Sequence, residues 1–384
     1  MVLSDKIYLD FNATTPVEPD VVKAMIPFFT ESFGNASSDH SFGWAADDAV
    51  ENARGQVARL VNCRPIELTF TSGATEAINL ALFGFCMSNK SKGNHIVTCG
   101  TEHKATLETM EALERQGFVV TYLGVDKQGN IDLEELEKVI LPSTLLVCIM
   151  MANNETGLVH PIKNISKLVH AKHVALMSDI TQAVGKIPVD LKELGIDMAI
   201  FSSHKIYGPK GVGVLYMNKD NHTTIAKHLF GGNHEKGVRP GTLNVPGIVG
   251  FGAACKIASA HLEEYHQNQL DLRNRLEEGL LDLEGVTINC HGQERLPNTT
   301  NVSFAGVDGT KLLRHLNTLA LSRGSACTSN QVNPSHVLKA MGMEDVDALA
   351  SLRISTGRST TLDDIQKAVF KIKTVVGQLK TVVL

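Results

Sequence analysis

The sequence lacks long runs of one charge and any apolar run long enough to span a membrane. Its 384 residues contain 36 basic and 41 acidic side chains, for a net charge of −5. Without a basic cluster, the chain offers no electrostatic surface for nucleic acid or an anionic membrane. The amino terminus has no basic region followed by an apolar stretch, so no targeting segment is predicted. We therefore expect a cytoplasmic protein without direct nucleic-acid or membrane binding.

Paired cysteines and spaced metal ligands are also missing. The seven cysteines are widely spread and include no Cys-x-x-Cys pair, which is typical of free thiols in a reducing compartment. The 15 histidines include no His-Glu-x-x-His spacing, so the sequence predicts no metal site. The glycine patterns of Walker and dinucleotide-binding loops are absent as well, which excludes the usual nucleotide signatures.

The chain does contain a repeated alternation of short apolar runs with helical patterns. Runs such as His95–Cys99, Leu145–Met151 and Met198–Phe201 are typical of buried strands. Strands that alternate with helices predict an α/β fold with a mostly parallel central sheet flanked by helices.

The length of the chain favours two domains. We expect a large domain over residues 15–255, and a smaller α+β domain formed by residues 1–14 and 256–384. The pattern from Val245 to about Leu283 predicts one long helix that bridges the two domains.

Polar residues follow the predicted strands. Because parallel strands end at the same edge of a sheet, we expect these residues to meet in one site. In chain order they are Gly73–Thr75, His103, Asn153, Asn154, Asp179, Gln182 and Ser202–Lys205. A desolvated lysine at this edge forms imines readily, although most lysines are simply solvated. The glycine turn before residue 75 is either a phosphate site or an ordinary helix start capped by Ser72 or Thr71.

Taken together, these residues supply an amine, a carboxylate, an imidazole, amide donors and a phosphate cradle. Pyridoxal 5′-phosphate requires this set of groups, so we expect that cofactor. Seven stretches then resemble the cysteine desulfurases of the NifS/IscS type, within the class V aminotransferase family. They are Thr71–Glu76, Thr101–Lys104, Ala152–Glu155, Ser178–Gln182, Ser202–Gly211, Arg239–Thr242 and Ser322–Thr328. They follow the family's order along nearly the whole chain.

The resemblance implies a fold-type-I enzyme that depends on pyridoxal phosphate and converts L-cysteine to L-alanine. It also implies that Lys205 holds the cofactor and carries protons, that Asp179 partners the ring nitrogen, and that Gln182 donates to the ring oxygen. His103 resembles the imidazole that stacks on the ring and serves as acid or base for the substrate thiol.

Further roles implied by the resemblance concern the phosphate and the substrate. Asn154 would lie near cofactor and substrate, and Arg353 would bind the substrate carboxylate through its planar fork. The implied phosphate ligands are Ala74, Thr75, Ser202, His204 and, from the other subunit of a homodimer, Thr242.

Cys327 lies in a run of small and polar residues, about 323–333, that ends at Pro334. An arbitrary cysteine is most often a buried structural residue. This loop-like setting instead predicts the exposure and reach that a nucleophilic thiol requires. By resemblance to the group with the longer cysteine loop (group I), Cys327 takes sulfur from the substrate as a persulfide and passes it to an acceptor protein.

The sequence departs from the family at two places. Ile180 stands where alanine often follows the ring aspartate, and its bulk could narrow the pocket. The chain ends at Leu384, without the longer tail with which IscS-type enzymes dock their iron–sulfur scaffold. The sulfur is expected to serve either iron–sulfur cluster assembly or a dedicated pathway such as tRNA thiolation or DNA phosphorothioation, and the short tail favours a NifS-like or dedicated sulfur donor. The alternatives are a selenocysteine lyase or aminotransferase of the same fold, and a non-catalytic scaffold of a sulfur pathway.

Overall fold

The computed structural model describes residues 6–221, 223–324 and 333–381. The strands in these ranges are β1 (Ile7–Tyr8), β2 (Leu68–Thr71), β3 (His95–Cys99), β4 (Val119–Leu123), β5 (Thr144–Cys148), β6 (Ala175–Asp179), β7 (Met198–Ser202), β8 (Gly213–Met217), β9 (Val286–Ile288), β10 (Thr299–Phe304), β11 (Leu319–Ala320) and β12 (Ser351–Ser355).

The α-helices are α1 (Pro19–Met25), α2 (Pro27–Thr30), α3 (Ser41–Leu60), α4 (Ala74–Asn89), α5 (Lys104–Glu114), α6 (Leu133–Val139), α7 (Ile162–Ala171), α8 (Leu191–Leu194), α9 (Val245–Ala260), α10 (Leu262–Leu281), α11 (Gly309–His315), α12 (His336–Ala340), α13 (Asp345–Leu349) and α14 (Leu362–Thr381). Short 3-10 helices cover Pro65–Glu67, Ser203–Lys205 and His234–Gly237.

Seven strands form the central sheet in the order β2-β8-β7-β6-β5-β3-β4. Strand β8 runs antiparallel to both of its neighbours, and the other pairs are parallel. The predicted α/β fold with a mostly parallel sheet is therefore confirmed. Strand β5 ends at Cys148 and not at the predicted Met151. Beyond it, the Met150 N–H donates to the Glu102 carboxylate.

Helices cover both faces of this sheet. Successive residues of a strand face opposite sides, and Ile200 and Phe201 accordingly join two different apolar clusters. Helices α3 and α9 pack on the Phe201 side, and α4 and α5 pack on the Ile200 side. Both faces are buried, which explains why the strands read as continuous apolar runs.

A second sheet of three antiparallel strands has the order β12-β10-β9. Its apolar face packs on α10 and α14 through residues such as Leu276, Val302 and Ile372. The short strand β1 pairs in parallel with β11. The division into residues 15–255 and the remainder stays a prediction.

The single helix predicted from Val245 to about Leu283 is wrong. Helices α9 and α10 are separate and meet at an angle of 74°, because His261 leaves the helical conformation at φ −122° and ψ 15°. In the part of the chain that the structure describes, no single helix is long and apolar enough to cross a membrane, and α9 and α10 reach that length only as a bent pair.

Candidate active site

The carboxyl ends of the central strands border a cavity of about 490 Å³. Ten of the residues predicted from the sequence line it: Ala74, Thr75, His103, Asn154, Asp179, Gln182, Ser202, His204, Lys205 and Arg353. Thr242 is not among the lining residues and is exposed. Cys327 lies outside the described residues. The cavity thus brings together predicted residues from the ends of the central strands, the starts of helices and, through Arg353, the second sheet.

Lys205 lies in the 3-10 turn that directly follows β7. Its Nζ donates to the backbone carbonyls of Asn12 at 2.6 Å and Ala13 at 2.7 Å. The amine is therefore held in the cavity by the amino-terminal segment, and these contacts fix where it can meet a ligand.

The start of α4 provides a site for an anion. Gly73 is the N-cap residue and no side chain caps the helix, so the alternative of a helix capped by Ser72 or Thr71 is wrong. Unpaired N–H groups and the positive end of the helix dipole favour a phosphate at this point.

His204 lies near the same end of the cavity, where its Nδ1 shares a hydrogen bond with Thr14 Oγ1 at 3.1 Å. Burial, followed by the charges of Lys205 and Lys210, lowers the pKa of His204 to about 4. The ring is thus neutral near pH 7, and it can donate one hydrogen bond without adding a charge.

Asp179 ends β6 and is buried, with its Oδ1 accepting from the Thr181 N–H at 2.9 Å. Burial raises its pKa, and the neighbouring His103 and Lys205 partly oppose that rise. A cationic group that binds beside Asp179 therefore stabilises the charged form of this carboxyl group. Ile180 is fully buried in the apolar core and is not among the residues that line the cavity, so its bulk does not narrow the pocket.

His103 is the N-cap residue of α5, and its Nδ1 accepts from the Ala105 N–H at 3.1 Å. The neutral ring therefore carries its proton on Nε2. Burial is the main cause that lowers the pKa of His103, and the positive charge of Lys205 acts in the same direction. This geometry makes Nε2 the nitrogen that can donate in the cavity.

Arg353, on β12, is buried beside this cavity. Its Nη2 pairs with Asp10 Oδ1 at 2.7 Å and its Nη1 donates to the Asn154 carbonyl at 3.1 Å. Among the described residues, Arg353 Nε, Asn154 Oδ1 and Thr181 Oγ1 are buried without a hydrogen-bond partner. Buried polar atoms are usually paired in native proteins, and Arg353 and Asn154 line the cavity, so Arg353 Nε and Asn154 Oδ1 have unused capacity for a polar ligand.

Three important residues were missed by the sequence analysis. Asn12 holds Lys205 through its carbonyl, Lys186 donates to Gln182 Oε1 at 2.6 Å, and the fully buried Glu102 accepts from the Met150 N–H. Glu102 adjoins the predicted His103, which was a signal in the sequence. In the sequence, Asn12 had only the features of a turn residue, and Lys186 had only those of an ordinary lysine.

The donor set fits pyridoxal phosphate. One end of the cavity offers an uncapped helix start for a phosphate, and the other groups are a primary amine, a buried carboxylate and an amide. The unpaired polar atoms described above leave further capacity for a bound amino acid. The structure thus contains the residues that this cofactor requires.

Comparisons with known proteins agree with this chemistry. Residues 7–368 match the family model "Aminotransferase class-V". A cysteine desulfurase IscS of Anaeromyxobacter sp. (strain Fw109-5) is 48% identical over 94% of this chain and 90% of its own length. The cysteine desulfurase IscS of Neisseria gonorrhoeae is 47% identical over 99% of this chain and 94% of its own length.

Solved structures show the same similarity. A structure described as a NifS-like protein superimposes with a TM-score of 0.91 at 39% identity, covering 97% of this chain and all of that chain. The structure of DndA from Streptomyces lividans has a TM-score of 0.78 at 38% identity and covers 91% of this chain and 99% of its own. The similarity thus extends over nearly all of each chain.

Proposed function

Because the chain belongs to the aminotransferase class-V family, and to the cysteine desulfurases within it, we propose that its cavity binds pyridoxal 5′-phosphate and L-cysteine. The observation that carries this proposal is the joint placement of Lys205, Asp179 and the uncapped start of α4 around one cavity. A single member of this set would be weak evidence, but the three together match the amine, ring-nitrogen and phosphate requirements of the cofactor.

When bound, the cofactor withdraws electrons from the amino acid and so weakens its Cα–H and Cβ–S bonds. Lys205 Nζ would hold the aldehyde and afterwards the proton from Cα. Asp179 would lie beside the ring nitrogen, and Gln182 Nε2 would donate to the ring oxygen. The first turn of α4, with Ser202 and His204, would bind the phosphate.

Arg353 binds the substrate carboxylate, which places the β-carbon and its sulfur toward His103. The proton on His103 Nε2 is available to the sulfur side of the substrate. The Cys327 thiolate then attacks that sulfur: the Cβ–S bond breaks, an S–S bond forms on Cys327, the β-carbon takes up a proton, and the proton held by Lys205 returns to Cα to give alanine. This step leaves a persulfide and requires no external oxidant.

The persulfide sulfur passes to an acceptor protein. A thiol of the acceptor protein attacks the outer sulfur of the persulfide, and the Cys327 thiolate leaves and is thereby regenerated. The similar proteins include both IscS enzymes and DndA, so the proposed destinations are iron–sulfur cluster assembly and a dedicated sulfur pathway such as tRNA thiolation or DNA phosphorothioation. We further propose a cytoplasmic homodimer, in which the exposed Thr242 completes the phosphate site of its partner.

The proposal is tested by incubating the purified protein with L-cysteine and measuring alanine together with labelled sulfur on Cys327. We expect both products in the wild type. Cys327→Ser should lose multiple-turnover alanine formation and keep the visible absorption of the bound cofactor. Cys63→Ser, which changes a half-buried thiol elsewhere, should retain activity. Steady alanine formation by Cys327→Ser, without sulfur on the protein, would instead support a lyase or an aminotransferase.

A further inference from the structure

A second lysine lies beside the cofactor cavity and has no role in the reaction described above. Lys186 is buried in the turn after β6, four residues beyond Gln182. Its Nζ donates to Gln182 Oε1 at 2.6 Å and to Asn12 Oδ1 at 2.9 Å. Within the described residues, neither a hydrogen bond nor an ion pair joins Lys186 to a carboxylate, which is unusual for a buried lysine.

The surroundings of Lys186 suit a neutral amine. Burial is the main cause that lowers its pKa well below the ordinary value, and the charges of Lys205 and Arg353 add to that effect. A neutral amine has two N–H groups, and the structure supplies two acceptors for them. Lys186 can therefore remain buried without a counter-ion.

The contact with Lys186 determines which end of the Gln182 amide faces the ligand. An amide oxygen can only accept, and the amide nitrogen can only donate. Since Oε1 accepts from Lys186, the nitrogen is directed elsewhere and donates to the Asn12 carbonyl at 3.1 Å. That leaves one N–H of Nε2 for a ligand. Gln182 lines the cavity, whereas Lys186 is not among the lining residues.

Asn12 connects this arrangement to Lys205. The Asn12 side-chain oxygen accepts from Lys186 and from Asn298 Nδ2 at 3.1 Å. Its backbone carbonyl accepts from Lys205 Nζ at 2.6 Å. Lys186 thus supports both the amide that faces the cofactor and the residue whose carbonyl holds the active-site amine.

We propose that Lys186 is a positioning residue, which holds Gln182 Oε1 so that Gln182 Nε2 is presented as a donor to the ring oxygen of the cofactor. If the amide were flipped, two acceptors would meet at the ring and two donors would meet at Lys186. This role rests on the proposed function, because it requires pyridoxal phosphate in the cavity.

The test is a double-mutant cycle with Lys186→Met, Gln182→Ala and the double variant. The readouts are the dissociation constant of pyridoxal phosphate for the apoprotein and the pH midpoint of the visible absorption band. Lys186→Met should weaken binding about 3- to 10-fold, as expected for one misdirected hydrogen bond. In the Gln182→Ala background the same change should alter binding less than about twofold. Both single variants should shift the pH midpoint in the same direction, and the double variant should shift it no further.

The matched control is Lys127→Met, which replaces a lysine on the surface. Its affinity for pyridoxal phosphate and its pH midpoint should equal those of the wild type. If the effects of the two substitutions on cofactor binding simply add in the double variant, Lys186 does not act through Gln182 and the proposed role is wrong. Should Lys186→Met fail to fold, a high-resolution structure of the wild-type holoenzyme decides the question, and a Lys186 Nζ beyond hydrogen-bond distance from Gln182 Oε1 would refute it. A wild type that does not bind pyridoxal phosphate would count against the proposed function itself.

Discussion

Two buried carboxyl groups, Glu102 and Asp179, lie close enough to interact, and burial raises the pKa of each. Burial raises the pKa of Glu102 well above its ordinary value, and the nearby Asp179 raises it further. Asp179 has His103 and Lys205 as compensating neighbours. A cation beside Asp179, such as a protonated ring nitrogen, would favour the charged form of that carboxyl group.

Arg353 allows a prediction about substrate affinity. Arg353→Lys replaces a planar fork by a single amine, which cannot hold Asp10 and a substrate carboxylate with the same geometry. We expect the KM for L-cysteine to rise about 10-fold, consistent with the loss of one charge-assisted hydrogen bond. Steady-state kinetics measure this value, and the visible absorption of the cofactor should not change. Arg275→Lys, on the exposed side of α10, is the control, and an unchanged KM in Arg353→Lys would contradict the assignment.

His160 should make the protein sensitive to acid. It is fully buried, and burial lowers its pKa from 6.5 to about 4. Below pH 6.5 the unfolded chain therefore binds a proton that the folded chain does not bind until pH about 4, and stability falls over that range. Between pH 7 and pH 5, this residue alone should lower the free energy of unfolding by about 2 kcal/mol.

Substitution of His160 by leucine removes this proton linkage. In urea unfolding of the apoprotein, the wild type should lose about 2 kcal/mol more between pH 7 and pH 5 than His160→Leu does. The exposed His291 provides the control, since His291→Gln should follow the wild type. Equal losses in the wild type and His160→Leu would show that His160 does not cause the acid sensitivity.

At the scale of elements, the sequence predicted the alternating strands and helices better than it predicted where this alternation is interrupted or where a helix bends. Strand β3 begins and ends as expected, since its apolar run has polar or glycine neighbours. Strand β8 was missed, because an antiparallel strand inserted between β2 and β7 has no helix after it to reveal it. The bend at His261 was missed because the helical pattern continues on both sides of it.

The start of α4 depends on close packing under Gly73. A Cβ added to Gly213 of β8 would lie 2.7 Å from Gly73 Cα, so Gly213→Ala must displace the turn that presents the helix N–H groups. We expect overpacking to lower the free energy of unfolding by about 1–3 kcal/mol, and to weaken cofactor binding about tenfold. Denaturation and cofactor titration measure the two effects.

The control for this prediction is Gly55→Ala in α3, where an added Cβ meets no atom within 4 Å. That variant should be more stable than the wild type by about 0.5–1 kcal/mol, because alanine has a higher helix propensity than glycine. It should bind the cofactor normally. Normal cofactor binding in Gly213→Ala would mean that the start of α4 does not hold the phosphate.

At the scale of the whole molecule, the site depends on contacts between distant parts of the chain. Lys205 is held by Asn12, and Arg353 pairs with Asp10, although these partners are separated by 193 and 343 residues. Arg358 stacks between Tyr207 and Tyr265 at 4.1 and 4.2 Å. The sequence identified residues at the ends of strands because their placement follows from the local pattern. It did not identify Asn12 or Lys186, because their roles depend on tertiary contacts.

Thr242 permits a test of the proposed homodimer. Hybrid dimers of Lys205→Ala and Thr242→Ala chains should regain about half of the wild-type activity per dimer if Thr242 acts across the interface. One of the two sites then combines both defects, and the other has an intact lysine and an intact threonine. If Thr242 served its own chain, each site of the hybrid would carry one defect and activity would not recover. Co-expression with two affinity tags isolates the hybrid, and each homodimeric variant, purified in the same way, sets the baseline.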